Sequence, residues 1–176
     1  MKPEIIDNFL DKKDFNKLQK EMLSENFQWY YSGDIVYKGD KGFQFCHTVY
    51  KNGDWGGGYN GLFDPIIEKV DPFSIFRIKA NLRTRESEIK ESSFHTDIGP
   101  ALLSDEQKKL WTTSIFYINT NNGYTIFEDG TKVESVQNRL ISFPANWNHA
   151  GTTCTDKERR VVINFNWFLN ETKLEN

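Results

Sequence analysis

The segment Ser92-Ser93-Phe94-His95-Thr96-Asp97-Ile98-Gly99 lies near the middle of the 176-residue chain and sets an imidazole two positions before a carboxylate. Alternate residues of an extended strand point to the same side, so His95 and Asp97 can approach one common point from one face. The pair forms half of a metal site. A second neutral imidazole would complete it, and the later segment Asn146-Trp147-Asn148-His149 supplies one. We therefore expect the rest of the chain to be a scaffold that brings these groups together.

The His-x-Asp pattern also occurs by chance, and a lone histidine is more often structural than a ligand. Order and spacing favour a metal site here, because His149 follows several predicted strands and precedes an arginine pair at residues 159–160. His47 lacks such neighbours, so we expect it to be a partly buried strand histidine. Two histidines and one carboxylate with open positions form the facial set typical of non-haem Fe(II) centres. The predicted ligands are His95, Asp97 and His149.

Length and composition indicate one globular domain. Aromatic residues make up 15% of the 176 residues, which provides a bulky core and excludes a disordered chain. The net charge of −3 disfavours a nucleic-acid partner. No leader segment and no run of about 18 apolar residues is present, so we expect a cytoplasmic protein with no membrane partner. Cys46 and Cys154 are expected to be free thiols, with one disulfide between them left open.

Hydrophobic spacing predicts two helices in the first part of the chain. Residues 11–24 place apolar side chains three and four apart behind Asp11, which can cap the helix. Residues 64–72 begin with a capping aspartate and a proline and stop at the next proline, which predicts a second, short helix. Between them, residues 27–51 are rich in aromatic and β-branched side chains and are predicted to form strands.

From residue 73 onward, strand-like segments follow one another. Residues 76–85 alternate apolar and polar side chains, which predicts one face against the core and one that is wet or lines a polar pocket. A short helix is expected at residues 104–111, and Asn121-Asn122-Gly123 and Asp129-Gly130 are typical of hairpin turns. Helices followed by six to eight strands predict a mainly β fold, an antiparallel sandwich or jelly roll with helices outside one sheet.

The segment at residues 53–61 contains five glycines in nine residues. An irregular surface connection is the ordinary interpretation of such a segment. The alternative is a mobile flap, hinged by glycine, that places Trp55 or Tyr59 at the mouth of the site.

Six segments, taken in order, resemble the 2-oxoglutarate/Fe(II)-dependent oxygenases of the prolyl-hydroxylase-like branch. They are His-Thr-Asp (95–97), Ser-Ile-Phe-Tyr-Ile-Asn (114–119), Gly-Tyr-Thr-Ile-Phe (123–127), Asn-Arg-Leu-Ile-Ser-Phe-Pro (138–144), His-Ala-Gly (149–151) and Arg-Arg-Val-Val-Ile-Asn-Phe-Asn-Trp-Phe (159–168). The resemblance covers roughly residues 76 to 168. It implies a double-stranded β-helix, the cupin-like jelly roll, with Fe(II) as metal and 2-oxoglutarate and O2 as cosubstrates.

The resemblance also implies roles for particular residues. His95, Asp97 and His149 correspond to the iron ligands of the family. Arg160 corresponds to the arginine that pairs with the distal carboxylate of 2-oxoglutarate, and Tyr117 to a tyrosine that often bonds the same carboxylate. Asn164, on the same strand face as Arg160, is the third residue predicted to bind the cosubstrate.

The strand phase separates Arg160 from Arg159. Counting by two from Arg160 gives a largely polar face, whereas counting from Arg159 gives Val161, Ile163, Phe165 and Trp167. The apolar face should meet the core, so the polar face should line the cavity. Arg159 is then expected to be a surface charge near Glu158.

These features predict a hydroxylase that couples decarboxylation of 2-oxoglutarate to succinate with hydroxylation of a C–H bond in a protein side chain or small metabolite. A nucleic-acid demethylase on the same fold is one alternative, disfavoured by the acidic pI and by Arg160-Val161-Val162 where such relatives carry Arg-x-Ser. The other alternative is a non-catalytic jelly-roll binding module that takes up no metal. The sequence predicts no oligomeric state.

Two departures bear on the substrate. A tyrosine common on an early strand of prolyl hydroxylases has no counterpart, because Lys79, Asn81 or Arg83 occupies that face, so prolyl specificity is not implied. An arginine in place of lysine for the cosubstrate departs from the collagen-modifying pattern. We expect one domain over residues 1–176, with residues 1–72 as N-terminal support, 73–168 as the double-stranded β-helix and 169–176 as a tail.

Overall fold

The computed structural model describes residues 2–40, 42–56, 59–99 and 101–169. Of the predicted tail, all but Leu169 lies outside these residues, as do two positions of the glycine-rich segment, Gly57 and Gly58. None of the helices in the described ranges combines the length and apolar character that crossing a membrane requires.

Short strands dominate the part of the chain that the structure describes, and three helices accompany them there. In chain order the elements are β1 (Glu4–Ile6), α1 (Lys12–Met22), β2 (Tyr30–Ser32), β3 (Gln44–Lys51), β4 (Asp54–Trp55), α2 (Asp64–Val70), β5 (Ser74–Thr84), α3 (Asp105–Lys108), β6 (Thr112–Tyr117), β7 (Tyr124–Phe127), β8 (Lys132–Glu134), β9 (Arg139–Pro144), β10 (His149–Gly151) and β11 (Arg159–Phe168).

The strands form two antiparallel sheets. The large sheet has the order β1-β9-β6-β11-β5-β3-β2, with β4 paired to β3, and the small sheet has the order β10-β7-β8. Isolated bridges from Glu91 to Thr152 and from His95 to His149 add the segment before Asp97 to the edge of the small sheet at β10. The predicted mainly β fold with flanking helices is confirmed.

Helix α1 covers the outer face of the large sheet. Asp11 caps it, since its Oδ1 accepts from the backbone N–H of Asp14 at 2.9 Å. Phe15, Leu18 and Met22 follow the predicted spacing and are buried in the main core. Burying this apolar stripe against the sheet is what holds an 11-residue helix that would be marginal alone.

Asp64 is the first residue of helix α2 and not its cap, which corrects the prediction. The N-cap is Phe63, without a side-chain hydrogen bond. Asp64 Oδ1 instead accepts from the hydroxyl of Tyr59 at 2.7 Å. The aspartate still lies where the helix dipole favours a negative charge. The short helix expected at residues 104–111 forms as α3, and a capping box between Ser104 and Gln107 begins it.

Strand β11 lies in the middle of the large sheet and separates the main core from the site. The alternate residues Val161, Ile163, Phe165 and Trp167 are buried in the main core, as the phase argument predicts. Arg159 lies on the same face and was expected to be a surface charge near Glu158. Instead, its Nη2 donates to the carbonyl oxygen of Leu23 at 2.6 Å. The residue therefore ties the end of α1 to the sheet.

The two predicted turns differ in outcome. Asp129-Gly130 lies in the hairpin between β7 and β8, and Gly130 has a positive φ of 83°. Asn121-Asn122-Gly123 is not a hairpin turn, since it leads from β6 in the large sheet to β7 in the small sheet. Gly123 is needed for close approach, because a Cβ there would lie 2.7 Å from Arg160 Cδ and 2.6 Å from the carbonyl oxygen of Thr153.

Both cysteines are free, as expected. Cys46 is half-buried on β3, with its Sγ 3.5 Å from Asn81 Oδ1. Cys154 is fully buried, and its Sγ lies 3.4 Å from the carbonyl oxygen of Lys157.

Replacing Phe116 by alanine is expected to destabilise the fold by about 3–5 kcal/mol, the usual cost of emptying a buried phenylalanine site. Phe116 is fully buried on β6 and meets Phe9 and Phe15 edge to face, with ring centroids 6.1 and 6.2 Å away. Equilibrium urea unfolding measures the change. Phe73→Ala is the matched control, because Phe73 is 78% exposed and its loss should cost about 0.5 kcal/mol or less. Equal losses for the two variants would contradict this placement of the core.

Candidate active site

A cavity of about 680 Å³ lies between the two sheets, a volume in the range of ligand pockets. The polar face of β5 and alternate residues of β11 form its wall on the large sheet. Residues of β7, β10 and the segment 92–99 form the opposite wall. The predicted pocket-lining face of β5 is thus placed on the cavity, while Ile78, Ala80 and Leu82 on its other face lie in the core.

The backbone pairing of two segments brings His95 and His149 together. The N–H of each donates to the carbonyl oxygen of the other at 3.0 Å, and their ring centroids lie 4.9 Å apart. His95 Nδ1 lies 3.0 Å from the carbonyl oxygen of Ser93, and His149 Nδ1 lies 3.3 Å from that of Trp147. A carbonyl at Nδ1 favours a proton there, which leaves the lone pair of each Nε2 free for a metal.

Asp97 completes the cluster. Its Oδ1 lies 3.7 Å from His95 Nε2 and 4.0 Å from His149 Nε2, and its side chain is 4% exposed. Arg77 Nη2 lies 3.3 Å from the same Oδ1. Burial alone would raise the pKa of Asp97, but Arg77 and the two histidines hold it well below its ordinary value. The carboxylate is therefore ionised and able to bind a cation.

The three side chains fit a divalent metal ion. One donor atom from each of His95, Asp97 and His149 lies within 4.8 Å of the others. Burial lowers the pKa of His149 to about 4, so its ring is neutral at neutral pH. Two imidazole nitrogens and one carboxylate oxygen, converging on a cavity, leave further coordination positions open, the donor set suited to non-haem Fe(II).

Arg160 lies on the cavity at another part of β11 and is held rigidly. It is 4% exposed, its Nε donates to Ser135 Oγ at 2.8 Å, and its Nη2 donates to Thr125 Oγ1 at 3.2 Å. A Cβ on Gly151 would lie 3.5 Å from Nη1, an ordinary van der Waals contact, so the guanidinium packs directly against this part of β10. Burial lowers the pKa of Arg160, yet a guanidinium keeps its charge in proteins. The cavity thus has a fixed cation apart from the histidines.

Tyr117 lies behind Arg160 and outside the described lining of the cavity. Its ring faces the guanidinium, with Arg160 Cζ 5.6 Å from the ring centroid, and its hydroxyl donates to Thr125 Oγ1 at 2.8 Å. Thr125 itself lines the cavity. The hydroxyl that lines the cavity beside Arg160 is therefore that of Thr125, while the Tyr117 hydroxyl interacts with Arg160 from outside this lining. Binding of the cosubstrate by Tyr117 stays a prediction.

Asn164, the third predicted cosubstrate residue, lines the cavity next to Asp97. Its Nδ2 lies 3.3 Å from Asp97 Oδ2, and Asn166 Nδ2 lies 3.2 Å from the same oxygen. The buried Oδ1 of Asn164 has no hydrogen-bond partner within the described ranges. Buried polar atoms are rarely left unpaired, so this oxygen is a candidate acceptor for a ligand donor.

The contacts that several residues make in the site were not predicted. Arg77 pairs with Asp97, Asn166 donates to it, and Thr125 and Ser135 fix Arg160. The polar alternation of β5 and β11 is a signal that could have found Arg77 and Asn166. Thr125 and Ser135 carry no comparable signal, because the pairing of Arg160 with the small sheet depends on the tertiary fold.

Two other expectations concern residues away from the cavity. Trp55 stacks on Tyr59 with ring centroids 4.3 Å apart, and neither residue belongs to the described lining. The aromatic residues of the glycine-rich segment thus contact one another, and the flap stays a prediction. His47 is half-buried on β3, with Nδ1 2.8 Å from the carbonyl oxygen of Gln28, in agreement with its predicted structural place.

Neither a protein-family model nor a curated protein sequence matches this chain. Solved structures do match it. A viral collagen prolyl hydroxylase from Paramecium bursaria Chlorella virus-1 is 15% identical, with a TM-score of 0.59 over 96% of this chain and 90% of that one. A prolyl hydroxylase from Trichoplax adhaerens, in complex with a hypoxia inducible factor peptide, is 13% identical, with a TM-score of 0.63 over 99% and 87%.

A third similar structure is a member of the 2OG-Fe(II) oxygenase family from Burkholderia pseudomallei. It is 11% identical, with a TM-score of 0.62 over 96% of this chain and 86% of that one. These likenesses establish the fold, and it is the one that the six sequence segments imply.

Proposed function

We propose that this chain is a hydroxylase that uses Fe(II), 2-oxoglutarate and O2. The convergence of His95, Asp97 and His149 on one cavity, within 4.8 Å of one another, carries the proposal. The fold shared with oxygenases and prolyl hydroxylases supports it. A fold alone does not assign an activity, so the donor set is the decisive feature.

His95, Asp97 and His149 would hold the iron. Bound there, Fe(II) would supply the redox chemistry that couples decarboxylation of 2-oxoglutarate to hydroxylation of a C–H bond. The protein prepares the ligands by protonating Nδ1 of both rings towards backbone carbonyls and by keeping Asp97 ionised. Asn166 and Arg77 orient the carboxylate through its Oδ2 and Oδ1, respectively, the usual function of groups that support metal ligands.

Arg160 would bind the distal carboxylate of 2-oxoglutarate. A buried, prearranged guanidinium offers planar paired donors to a carboxylate at little further cost in side-chain ordering. Thr125 adds a hydroxyl beside it, and Tyr117 stabilises the cation from behind with its ring face. Asn164 lies beside Asp97, and its Nδ2 already donates to that carboxylate. Its unpaired Oδ1 would accept a hydrogen bond from a bound ligand.

Metal uptake and succinate release test the proposal. Protein reconstituted anaerobically with Fe(II) should bind one equivalent of metal. When 2-oxoglutarate and O2 are then added, it should release succinate slowly without a substrate and faster with one. Variants lacking either histidine separate this function from a non-catalytic binding module, which would show the same low metal content with and without the histidines. Absence of stoichiometric metal in the wild-type protein would contradict the proposal.

The placement of Thr125 yields a specific comparison. Thr125→Val is expected to weaken 2-oxoglutarate binding about three- to tenfold, since it removes a hydroxyl at the cavity wall and a partner of Arg160. Tyr117→Phe, which keeps the ring against Arg160, is expected to change affinity by less than about threefold. Calorimetry on the Mn(II)-loaded protein measures both affinities. A larger loss for Tyr117→Phe would show that the tyrosine hydroxyl reaches the cosubstrate.

A further inference from the structure

One wall of the cavity carries several cations in a row. Strand alternation points Arg77, Lys79 and Arg83 of β5 into the cavity, opposite the buried apolar face of the same strand. Lys108 and Arg160 also line the cavity. This local concentration of positive charge stands against a chain whose net charge is −3.

Three of these cations have partners. Arg77 lies 3.3 Å from Asp97, and Lys108 Nζ lies 3.0 Å from Asp105. Arg160 is held by two hydroxyls, and the proposed function assigns it to the distal carboxylate of 2-oxoglutarate.

Lys79 and Arg83 are different. Within residues 2–40, 42–56, 59–99 and 101–169, neither side-chain cation has an ion-pair or hydrogen-bond partner, and both are half-buried. Burial lowers the pKa of Arg83, and the more distant carboxylates of Glu86 and Asp40 raise it only in part. A half-buried charge without a partner is unfavourable, so its presence in a cavity wall points to an anionic ligand.

The metal and cosubstrate would not supply that anion. A divalent metal and the dianion 2-oxoglutarate cancel each other's charge, so loading the site leaves Lys79 and Arg83 uncompensated. The register places Lys79 beside Asn164 and Arg83 beside Arg160, on the strand next to β11. A ligand on β5 would therefore lie alongside the cosubstrate and not in its place.

Part of the cavity lining is apolar. Ile35, Val36 and Tyr37 line the cavity from the connection between β2 and β3. Asp40 fixes this connection, since its Oδ2 accepts from the backbone N–H of Val36 at 2.7 Å, and Gln44 Nε2 donates to the carbonyl oxygen of Ile35 at 2.9 Å. A cavity lined by these cations and also by aliphatic and aromatic side chains suits an anion with a carbon skeleton.

We propose that Lys79 and Arg83 bind the anionic group of the substrate, which is a small organic acid or phosphate ester. This assignment rests on the proposed function, because it places the hydroxylated C–H bond near the histidines while the carboxylate or phosphate contacts β5. The cavity of about 680 Å³ has the size of a small-molecule site that holds two ligands side by side. Charge-assisted contacts from lysine and arginine would supply both affinity and orientation.

Binding to a matched pair of double variants tests the assignment. Lys79→Met with Arg83→Met keeps an unbranched apolar side chain at each position and removes both charges. Lys51→Met with Arg85→Met removes the same charges from exposed positions outside the cavity lining. Each protein is loaded with Zn(II), saturated with 2-oxoglutarate and titrated with methyl phosphate, butyrate or neutral butyramide. Amide NMR shifts report affinity and location.

In the wild-type protein and the Lys51/Arg85 variant, methyl phosphate or butyrate should shift resonances of β5 and residues 35–37. The Lys79/Arg83 variant should bind these anions at least tenfold more weakly, and butyramide should not distinguish the three proteins. Anion affinities that are equal in all three would overturn the assignment. So would a tenfold loss of 2-oxoglutarate affinity in the Lys79/Arg83 variant without any second anion bound, because the cations would then belong to the cosubstrate.

Turnover identifies the source of the anion. Succinate release is measured with small metabolites in pairs that differ by one carboxylate or phosphate, with an acidic peptide and with an oligonucleotide. Succinate release that is stimulated by the charged small molecules, and not by their neutral partners, supports the proposal. Comparison of the carboxylates with the phosphates then shows which anion the site prefers. Stimulation only by the peptide or the oligonucleotide overturns it. A wild-type protein that bound neither metal nor 2-oxoglutarate would instead refute the proposed function. Failure of the proposed function can therefore be told from failure of the Lys79/Arg83 assignment.

Discussion

Asp97→Asn is expected to lower Fe(II) affinity at least about 100-fold and to abolish succinate release, the largest effect of any single substitution considered. Removing a group that only supports a metal ligand already costs about 10- to 100-fold, and Asp97 is a ligand itself. The amide keeps the shape of the side chain but lacks the negative charge that offsets the metal. The substitution would also leave Arg77, whose Nη2 lies 3.3 Å from Asp97 Oδ1, without its ion-pair partner.

Asp105→Asn is the matched control for this prediction. Asp105 also lines the cavity and also pairs with a cation, Lys108 at 3.0 Å, but its side chain is 80% exposed and lies outside the histidine cluster. Elemental analysis measures the metal content, and competition with a chelator measures the affinity. Both should be lost in Asp97→Asn and retained in Asp105→Asn. Near-wild-type metal content in Asp97→Asn, with the fold intact by circular dichroism, would remove Asp97 from the metal site.

The parts of the fold and site set by local periodicity could be predicted from the sequence. Period-two alternation in β11 requires Val161 and Ile163 to face the core and so turns Arg160 towards the cavity. The same alternation in β5 puts Arg77 and Lys79 on the cavity side. Helix α1 was predictable for a similar reason. Its cap and its apolar stripe depend only on residues three or four positions apart in the sequence.

Features set by pairing between distant segments could not be predicted. The contact of Tyr117 with Thr125, and not with the cavity, arises because β6 lies beyond β11 in the large sheet while Thr125 belongs to the small sheet. The turn 121–123 shows the same limit: Asn-Asn-Gly suits both a hairpin and a crossing between sheets. The choice was set by the close approach of Arg160 to Gly123, a tertiary contact.

Arg77 illustrates how a metal site depends on groups that no short motif includes. The His-x-Asp motif identifies Asp97, but the guanidinium that keeps its pKa low comes from β5, whose register with β11 puts Arg77 beside Asn166. Asn166 in turn donates to Asp97. The carboxylate is therefore oriented by two neighbouring strands of the large sheet before any metal binds.

Arg160→Ala is expected to weaken 2-oxoglutarate binding at least tenfold, the second large effect. The loss of a charge-assisted hydrogen bond to a buried carboxylate costs about 1.5–3 kcal/mol, and alanine supplies neither the charge nor the donors. Arg160→Lys should recover only part of the affinity, because Ser135 and Thr125 position a planar fork that an ammonium cannot reproduce. Calorimetric titration of Mn(II)-loaded protein measures the affinities, and unchanged metal stoichiometry shows that the variants are folded.

Arg159→Ala separates the two neighbouring arginines. Arg159 donates to the carbonyl oxygen of Leu23 and faces the core side of the sheet, so its loss should lower the free energy of unfolding by about 1 kcal/mol. It should leave 2-oxoglutarate affinity within about twofold, since it removes the same charge one residue away without touching the cavity. The pair thus tests strand phase and not net charge. Equal losses of affinity at both positions, or a loss only at Arg159, would mean that the cosubstrate lies on the other face of β11.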